Sequence, residues 1–280
     1  MKNVGVSILV HGTNPDELRK ALGCVAASGV VNTVWVIDNS DDDSLRGVAR
    51  EFGTEYRHVE NRGFGAGHNV AIRESLAWDL KYHLVMNADV CWEGDVLSAL
   101  QAYMDDNPDV GLVMPKVRYP DGDLQYACRM LPTPYDLFAK RFLPGCLTRR
   151  RMERYLLADA DHDRPFNVPY LLGSFLFFRS DALRQEGLFD ERFFMYPEDI
   201  DITRRIHRAW RTMFWPGVTI VHAHAAASRR NFRMLRIHLT NMFRYFNKWG
   251  WLVDPERRRF NRRLRAEMPR QSGPRPSGRG

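Results

Sequence analysis

The sequence has few cysteines, no long apolar run and no internal repeat. Its four cysteines, Cys24, Cys91, Cys128 and Cys146, form no Cys-x-x-Cys pair, so a zinc cluster or a disulfide framework has little support. Reduced thiols in a cytosolic protein are expected instead. The apolar run Val4–Val10 is too short for the hydrophobic region of a signal peptide, and no window reaches the roughly 18 apolar residues of a spanning helix. These absences exclude zinc-finger, disulfide-stapled and membrane-spanning classes.

Composition is that of an ordinary folded protein, with an uneven distribution of charge. Apolar residues make up 44% and charged residues 27% of the 280 residues, enough for one large domain or two small ones. The net charge is +7. Residues 229–280 carry 15 Lys/Arg against 3 Asp/Glu, which leaves 26 against 31 for residues 1–228. The chain is therefore a mildly acidic body with a basic C-terminal end.

Strand-like and helix-like segments alternate through the first half. The expected strands are Val4–Val10, Thr33–Ile37, Thr54–Val59, Tyr82–Met86 and Val110–Met114, and the expected helices are Pro15–Ala27, Gly67–Leu80 and Asp95–Asp106. Asn14 is a possible N-cap of the first helix. This alternation predicts an α/β fold with a mostly parallel central sheet flanked by helices.

The second half is less regular. Residues 118–169 are rich in proline and predict an irregular insertion with one or two short helices; Tyr170–Phe178 and Thr219–Val221 read as strands, and Asp181–Gln185 and Ile200–Ala209 as helices. Phe232–Trp249 is an amphipathic helix by periodicity.

We divide the chain into residues 1–228 (halves 1–115 and 116–228), a basic helical extension 229–265 and a disordered tail 266–280.

Three polar segments follow successive predicted strands: 38–40 (Asp-Asn-Ser), 61–67 (Asn-Arg-Gly-Phe-Gly-Ala-Gly) and 87–89 (Asn-Ala-Asp). Ligands bind at the carboxyl ends of strands in open α/β sheets, so this pattern favours a site, although turn chemistry alone often puts Asp or Asn there. Asp89 is suited to a divalent cation, which prefers oxygen ligands.

The glycines Gly63, Gly65 and Gly67 leave two interpretations open. A dinucleotide loop is disfavoured because position 68 is histidine and the loop follows the third strand rather than the first. The remaining possibilities are close approach of the backbone to a nucleotide or sugar, and an ordinary turn before a helix.

Acids and histidines mark the second half. Glu198 and Asp199 begin a predicted helix, where negative charge is favoured anyway, but behind aromatic residues they also suit a general base in a sugar-binding cleft. His222 and His224 follow a strand and lie on one face of it, where either could bind a metal or serve as a structural histidine.

Taken in order, these segments resemble the nucleotide-sugar-dependent glycosyltransferases of family 2, with the GT-A fold, and in particular a bacterial rhamnosyltransferase-like branch. The resemblance covers about residues 4–250. Its motifs are Val36–Ser40, Glu60–Asn69, Asn87–Val90, Gly187–Glu191, Phe194–Asp201 and Val221–His224.

The resemblance implies a role for each matching residue. Asp38, Asn61, Gly63, Gly65, Asn69, Asn87 and Asp89 would bind the donor. Asp89 and His222 would hold Mg²⁺ or Mn²⁺, with His224 the less favoured histidine. Asp199 would be the general base, and Tyr196 and Glu198 would contact the acceptor.

Two departures from the family pattern bear on metal binding: Asn87 stands where the DxD-like motif has its first Asp, and Ala88 where this branch often has Pro. The branch often has Asn at the first position, so metal dependence remains the expectation. The Gln-x-x-Arg-Trp motif and membrane spans of processive synthases are absent, which favours addition of a single sugar.

The implied activity is inverting transfer of one sugar, with rhamnose favoured, from a dTDP- or UDP-sugar to a glycan or polyprenyl-diphosphate-linked acceptor in surface polysaccharide synthesis. The basic end, residues 229–265, suggests attachment to an anionic membrane surface, at the inner face of the cytoplasmic membrane. No nucleic-acid-binding signature is found. One alternative is a non-catalytic sugar- or lipid-binding protein on the same fold. Another is a nucleotidyltransferase, which would need a Gly-rich loop with Arg or Lys after the first strand; residues 11–14 do not fit that pattern.

Overall fold

The fold was obtained as a computed structural model, which describes residues 2–137, 145–223, 232–271, 278 and 279. The strands are β1 (Val4–Val10), β2 (Val31–Asp38), β3 (Glu55–His58), β4 (Tyr82–Asn87), β5 (Val90–Cys91), β6 (Val110–Arg118), β7 (Leu124–Gln125), β8 (Cys128–Arg129), β9 (Phe166–Asn167), β10 (Tyr170–Leu171), β11 (Phe175–Arg179), β12 (Arg211–His222) and β13 (Gly278–Arg279). The helices are α1 (Pro15–Ala26), α2 (Arg46–Glu51), α3 (Phe64–Ala77), α4 (Val96–Asp106), α5 (Gly145–Tyr155), α6 (Ser180–Glu186), α7 (Glu198–Ile206), α8 (Phe232–Trp249) and α9 (Pro255–Glu267).

A central sheet with helices against it organises the chain. Within the described residues its main path runs β13-β7-β6-β11-β4-β1-β2-β3, with β12 paired to β5, β6 and β9. The pairs β4–β1, β1–β2, β2–β3 and β6–β12 are parallel, whereas β11 runs antiparallel to both β4 and β6. The predicted mostly parallel α/β sheet is therefore confirmed.

Most first-half elements match the sequence prediction closely. The strand β1 has the predicted bounds, and Asn14 caps α1 by accepting a hydrogen bond from the Asp16 amide at 2.8 Å. The prediction for α3 was wrong at its start: the helix begins at Phe64, so Gly65 and Gly67 lie in its first turn rather than in a loop.

The predicted strand Tyr170–Phe178 is two strands in two sheets. Its first part, β10, pairs with β8, and its second part, β11, pairs with β4 and β6. The break lies at residues 172–174, where the Leu172 amide donates to the Ala127 carbonyl and the Gly173 amide donates to Asp199. Both strands are apolar because both are buried, and Gly173 and Ser174 interrupt the apolar run between them.

Two apolar cores hold the molecule together. The larger lies on the central sheet. The smaller joins the two C-terminal helices to the second half of the body, and its aromatic members are Tyr126, Tyr155, Tyr170, Phe193, Tyr245, Phe246 and Phe260. Residues 229–265 thus contain two helices, α8 and α9, that share a core with the body. Among the described helices, none combines the length and apolarity needed to cross a bilayer.

Residues 266–280 were predicted to be a disordered tail, but some of them lie in regular secondary structure. Helix α9 continues to Glu267, and Gly278–Arg279 pair in parallel with β7. Residues 272–277 and 280 lie outside the described residues.

Candidate active site

The carboxyl ends of β1, β2 and β4 meet at one edge of the sheet. Val10 of β1 pairs with Asp38 of β2, and Leu9 of β1 pairs with Asn87 of β4. The polar residues that follow β2 and β4 therefore flank the end of β1 from its two sides. This is the edge at which open α/β sheets bind ligands.

At the end of β2, the carboxylate of Asp38 is fully buried and already engaged. One oxygen accepts from the Ser40 amide at 2.9 Å and the other from the Tyr56 hydroxyl at 2.7 Å. Burial together with this carboxylate raises the pKa of Tyr56. The next residue, Asn39, donates to the Asn61 side chain at 3.2 Å, which links the ends of β2 and β3. Asp38 thus fixes the loop that follows β2.

Packing explains why glycines are needed at the start of α3. A Cβ on Gly63 would lie 2.2 Å from the Phe194 carbonyl oxygen, and Gly63 has φ of +101°. A Cβ on Gly65 would lie 2.6 Å from Phe189, and one on Gly67 would lie 2.4 Å from Leu9. Since real Cβ contacts are not this short, a side chain at Gly63 or Gly65 would collide with the segment 187–199, and one at Gly67 would displace the end of the Leu9 side chain. Gly63 and Gly65 therefore allow α3 to lie against the segment 187–199, and Gly67 packs against β1.

Asn69 was predicted to frame the nucleotide-sugar, but its hydrogen bonds go to that same segment. Its amide nitrogen donates to the Phe189 carbonyl at 2.9 Å and to Glu191 at 3.1 Å, and its oxygen accepts from the Phe189 amide at 3.1 Å. Because both amide hydrogens are used, the geometry assigns Asn69 to holding segment 187–199 in place.

A carboxylate and an imidazole face each other where β5 meets β12. Asp89 Oδ1 lies 3.3 Å from His222 Nε2, and Val90 pairs with His222 in the sheet. The other ring nitrogen, Nδ1, lies 2.7 Å from Gln125 Oε1. A carboxamide oxygen only accepts, so Nδ1 carries the hydrogen and Nε2 is left to face the carboxylate. Gln125, on β7, was not anticipated from the sequence because nothing local distinguishes it.

This pair fits a divalent cation. Two acceptors held 3.3 Å apart repel each other unless a proton or a cation lies between them. The donor set is one carboxylate oxygen and one imidazole nitrogen, with the imidazole oriented by a buried amide, as is common around protein-bound metals. No group of three or more His, Cys, Asp or Glu side chains suited to a metal occurs among the described residues. His224 lies outside the described residues.

Asp199 lies at the start of α7, and three hydrogen-bond donors hold its carboxylate. One oxygen accepts from the Gly173 amide at 2.9 Å and from the Tyr170 hydroxyl at 3.3 Å, and the other accepts from the Ile200 amide at 2.8 Å. Burial raises its pKa to about 6, opposed by the hydrogen bonds from Gly173 and Ile200 and by the charge of Arg129. A carboxylate with this pKa is a general base suited to neutral pH.

The neighbouring acid, Glu198, is also buried, and its Oε2 has no partner among the described residues. Burial and the adjacent Asp199 charge raise its pKa well above the ordinary value. Since two carboxylates this close do not both ionise readily, Glu198 holds the proton and Asp199 the charge at neutral pH.

Tyr196 precedes the two acids with a backbone φ of +93°. A tyrosine rarely adopts this left-handed conformation, and such strain concentrates at functional sites. Contacts from α8 hold the segment: Tyr196 packs edge-on against His238 at 4.8 Å between ring centres, and Asn241 donates to the Met195 carbonyl at 3.0 Å. No local pattern in the sequence predicts that α8 supports this loop.

Two hydrogen bonds join Asp199 to the sheet edge. The Asn87 amide donates to the Ser174 carbonyl at 3.0 Å, and the preceding residue, Gly173, donates to Asp199. The structure therefore brings the end of β4 and the buried acids into one site. The side chains of Asp38 and Asn69 hydrogen-bond to protein groups, and Asp89 of the Asp89–His222 pair lies two residues beyond the end of β4.

The family model "Glycosyl transferase family 2" matches residues 7–187, and the chain belongs to this family. The N-acetylglucosaminyl-diphospho-decaprenol L-rhamnosyltransferase of Mycobacterium tuberculosis H37Rv is 29% identical over 213 residues, 69% of this chain and 67% of that protein. Rhamnosyltransferase WbbL of Escherichia coli K12 is 28% identical over 252 residues, 86% of this chain and 92% of that protein.

Solved structures show the same fold. The mannosyltransferase PcManGT of Pyrobaculum calidifontis, in complex with GDP-Man and Mn²⁺, aligns with a TM-score of 0.59 at 18% identity over 95% of this chain and 68% of that one. GalNAc-T7 with UDP, GalNAc and Mn²⁺ aligns with a TM-score of 0.65 at 13% identity over 88% of this chain, which spans 48% of that structure. The fold is GT-A, and the chain is a nucleotide-sugar-dependent glycosyltransferase.

Proposed function

We propose that this enzyme transfers a single sugar, with rhamnose favoured, from a nucleotide-sugar to a glycan or polyprenyl-diphosphate-linked acceptor, in bacterial surface polysaccharide synthesis. The observation that carries the proposal is a buried carboxylate, Asp199, with its pKa raised to about 6 and connected by Gly173 and Ser174 to the strand end that precedes Asp89. The two rhamnosyltransferase relatives support rhamnose, and the decaprenol named for one of them supports a lipid-linked acceptor.

In the proposed reaction, Asp199 accepts the proton of an acceptor hydroxyl. That oxygen forms a bond to the anomeric carbon while the bond from this carbon to the nucleoside diphosphate breaks, so the anomeric configuration inverts. The hydrogen bonds from Gly173 and Tyr170 hold the carboxylate in one orientation for the transfer. Glu198, kept neutral, and Tyr196 would line the acceptor side.

Asp89 and His222 would hold the Mg²⁺ or Mn²⁺ ion. When bound there, the cation supplies positive charge that stabilises the leaving diphosphate. Gln125 would keep His222 Nε2 available by accepting from Nδ1. His224 stays the alternative ligand.

Donor binding would involve two kinds of residue. Asn61 and Asn87 are proposed to contact a dTDP- or UDP-sugar, together with Asp89 through the metal. Asp38 and Asn69, with the glycines Gly63 and Gly65, are proposed to shape the donor site indirectly, because their contacts already go to protein groups or to close packing.

The proposed setting is the cytoplasmic face of the membrane, where a lipid-linked acceptor would lie, with the protein attached peripherally to an anionic surface. Nucleic acid is not among the proposed partners.

A donor screen tests the proposed function. The protein would be incubated with Mn²⁺ or Mg²⁺, dTDP-, UDP- and GDP-sugars and a polyprenyl-diphosphate-linked N-acetylglucosamine acceptor, with release of nucleoside diphosphate as the readout. Release with one donor, lost in Asp199→Asn, would support the transferase and name the nucleotide. If nothing is released, calorimetry decides: metal-dependent nucleotide binding would point to a different acceptor, and no binding would contradict the donor site. Binding without turnover on any acceptor would favour the non-catalytic sugar-binding alternative.

A further inference from the structure

The loop between α8 and α9 exposes a group of large apolar side chains. Leu252 is 81% exposed, Val253 is 70% exposed and Phe243, on α8, is 52% exposed. The Trp251 ring lies 5.0 Å from the Phe243 ring and extends the same group. Single exposed apolar residues are common on protein surfaces, but a cluster at the tip of one loop marks an interaction surface. We name Phe243, Trp251, Leu252 and Val253 the apolar tip.

The apolar tip is held in place by the structure beneath it. Asp254 caps α9 and forms a buried two-point ion pair with Arg204 at 2.7 and 2.8 Å. Arg257 donates to the Trp251 carbonyl at 3.3 Å, and Arg258 donates to the Leu252 carbonyl at 3.4 Å. The backbone of the loop is therefore fixed with Leu252 and Val253 facing water, although folding ordinarily buries such side chains.

Exposed basic side chains lie on the two helices that the apolar tip joins. Arg244 on α8 and Arg258, Arg259 and Arg262 on α9 are exposed. The nearby acids do not offset them, because Asp254 is paired with Arg204, and Glu256 is paired with both Arg204 and Arg208. An apolar projection within a basic surface complements an anionic bilayer, whose headgroups attract arginine while its interfacial region accepts leucine, valine and tryptophan.

This assignment differs from the simple reading of α8 as a membrane-lying amphipathic helix. Met242, Tyr245 and Phe246 of its apolar face are buried in the protein, so that face does not meet a membrane. The part of this region available to contact lipid is the apolar tip at the end of α8.

The apolar tip is also close to the acceptor side of the site. The residues of α8 that contact the segment 191–196 include His238, Asn241 and Arg244, the last through the Arg192 carbonyl at 2.6 Å. From Asn241 to Trp249, where α8 ends, is eight residues, about 12 Å at helical rise, and the apolar tip follows directly. A bilayer touching the apolar tip would thus lie within reach of a lipid-linked acceptor at Asp199.

We propose that the apolar tip inserts into the interfacial region of an anionic bilayer and orients the active site toward an acceptor held there. This deepens the proposed function and rests on its lipid-linked acceptor.

Co-sedimentation with vesicles tests the proposal without donor or acceptor present. Vesicles of phosphatidylcholine with 30% phosphatidylglycerol would be compared with phosphatidylcholine alone, at 50 and 500 mM NaCl. We expect binding to the anionic vesicles that weakens at high salt, and at least tenfold weaker binding for the double variant Leu252→Ser, Val253→Ser. Arg258→Gln should weaken binding about fivefold, the value expected for one basic residue near an anionic surface.

A matched control is Trp78→Ser, which removes another large exposed side chain, 51% exposed, at the far end of α3. It should leave vesicle binding unchanged. Circular dichroism would verify that all variants are folded, which is expected because the tip side chains are exposed. Equal vesicle binding by the tip variant and the wild type would overturn the proposal. So would a wild type that forms dimers and binds no vesicles, if the tip variant is monomeric and also binds none.

The membrane surface and the proposed sugar transfer can be refuted separately. If the tip variant loses vesicle binding but the wild type transfers no sugar, the membrane surface stands and the proposed reaction does not. If sugar transfer to a detergent-solubilised acceptor is intact and vesicles are never bound, only the membrane surface is refuted.

Discussion

The pH dependence of transfer follows from the burial of Asp199. Its pKa is raised to about 6 from an ordinary value of 3.8 because burial penalises the charge more than the hydrogen bonds restore it. A base must be deprotonated to act, so activity is present above this pKa and is lost as the pH falls through it. The deprotonated fraction falls from about nine tenths at pH 7 to about one tenth at pH 5. We therefore expect kcat/KM to fall about tenfold between pH 7 and pH 5, whereas a carboxylate of ordinary pKa would lose less than about a tenth.

The Tyr170→Phe variant shows whether this inflection belongs to Asp199. The Tyr170 hydroxyl donates to the charged carboxylate, so its removal should raise the pKa further and move the inflection upward by about half to one pH unit. Tyr56→Phe, which removes a similar hydroxyl from the Asp38 carboxylate, should leave the inflection where it is.

Initial rates from pH 4.5 to 8.5 at saturating Mn²⁺ provide the measurement. Saturation matters because metal binding itself depends on pH, and an inflection from that source moves with Mn²⁺ concentration. A flat profile down to pH 5, or an inflection that does not move in Tyr170→Phe, would refute the reasoning.

Three further outcomes are expected. Asp199→Asn should lower kcat by 10² to 10⁴, with donor affinity by calorimetry within about twofold of wild type; an unchanged kcat would exclude Asp199 as the base. Gly63→Ala should destabilise the fold by at least about 2 kcal/mol in urea unfolding, because its Cβ would lie 2.2 Å from a carbonyl oxygen, whereas Gly12→Ala, with φ of +58° and open space, should cost about 1 kcal/mol; equal losses would contradict the packing argument. Gln125→Leu should weaken Mn²⁺ binding 10- to 100-fold by electron paramagnetic resonance, and unchanged affinity would show that Gln125 does not orient His222.

The local elements were the part of the structure most accessible from sequence. The strand β1, the Asn14 cap and helix α8 could be predicted because apolar periodicity and capping chemistry are properties of neighbouring residues. The gathering of Asp38 and Asn87 beside β1 could be predicted as well, since carboxyl ends of parallel strands share an edge.

Features that depend on long-range packing were not accessible. The break between β10 and β11 is set by the bond from Gly173 to Asp199, 26 residues away in sequence. Gly63 and Gly65, at the start of α3, are required by the segment 187–199, which lies more than 100 residues later in the sequence. Gln125 is an ordinary residue until the fold sets it against His222, 97 residues away.

The central claim is that Asp199 is the general base of an inverting transfer from a nucleotide-sugar. Proton NMR of the reaction with the donor that the screen identifies, Mn²⁺ and the lipid-linked acceptor tests it most directly, through the anomeric configuration of the first product formed. The account predicts one product with the configuration at the transferred carbon inverted relative to the donor, and no product on the same timescale with Asp199→Asn. A product of retained configuration, or formation at the wild-type rate in the variant, would contradict it.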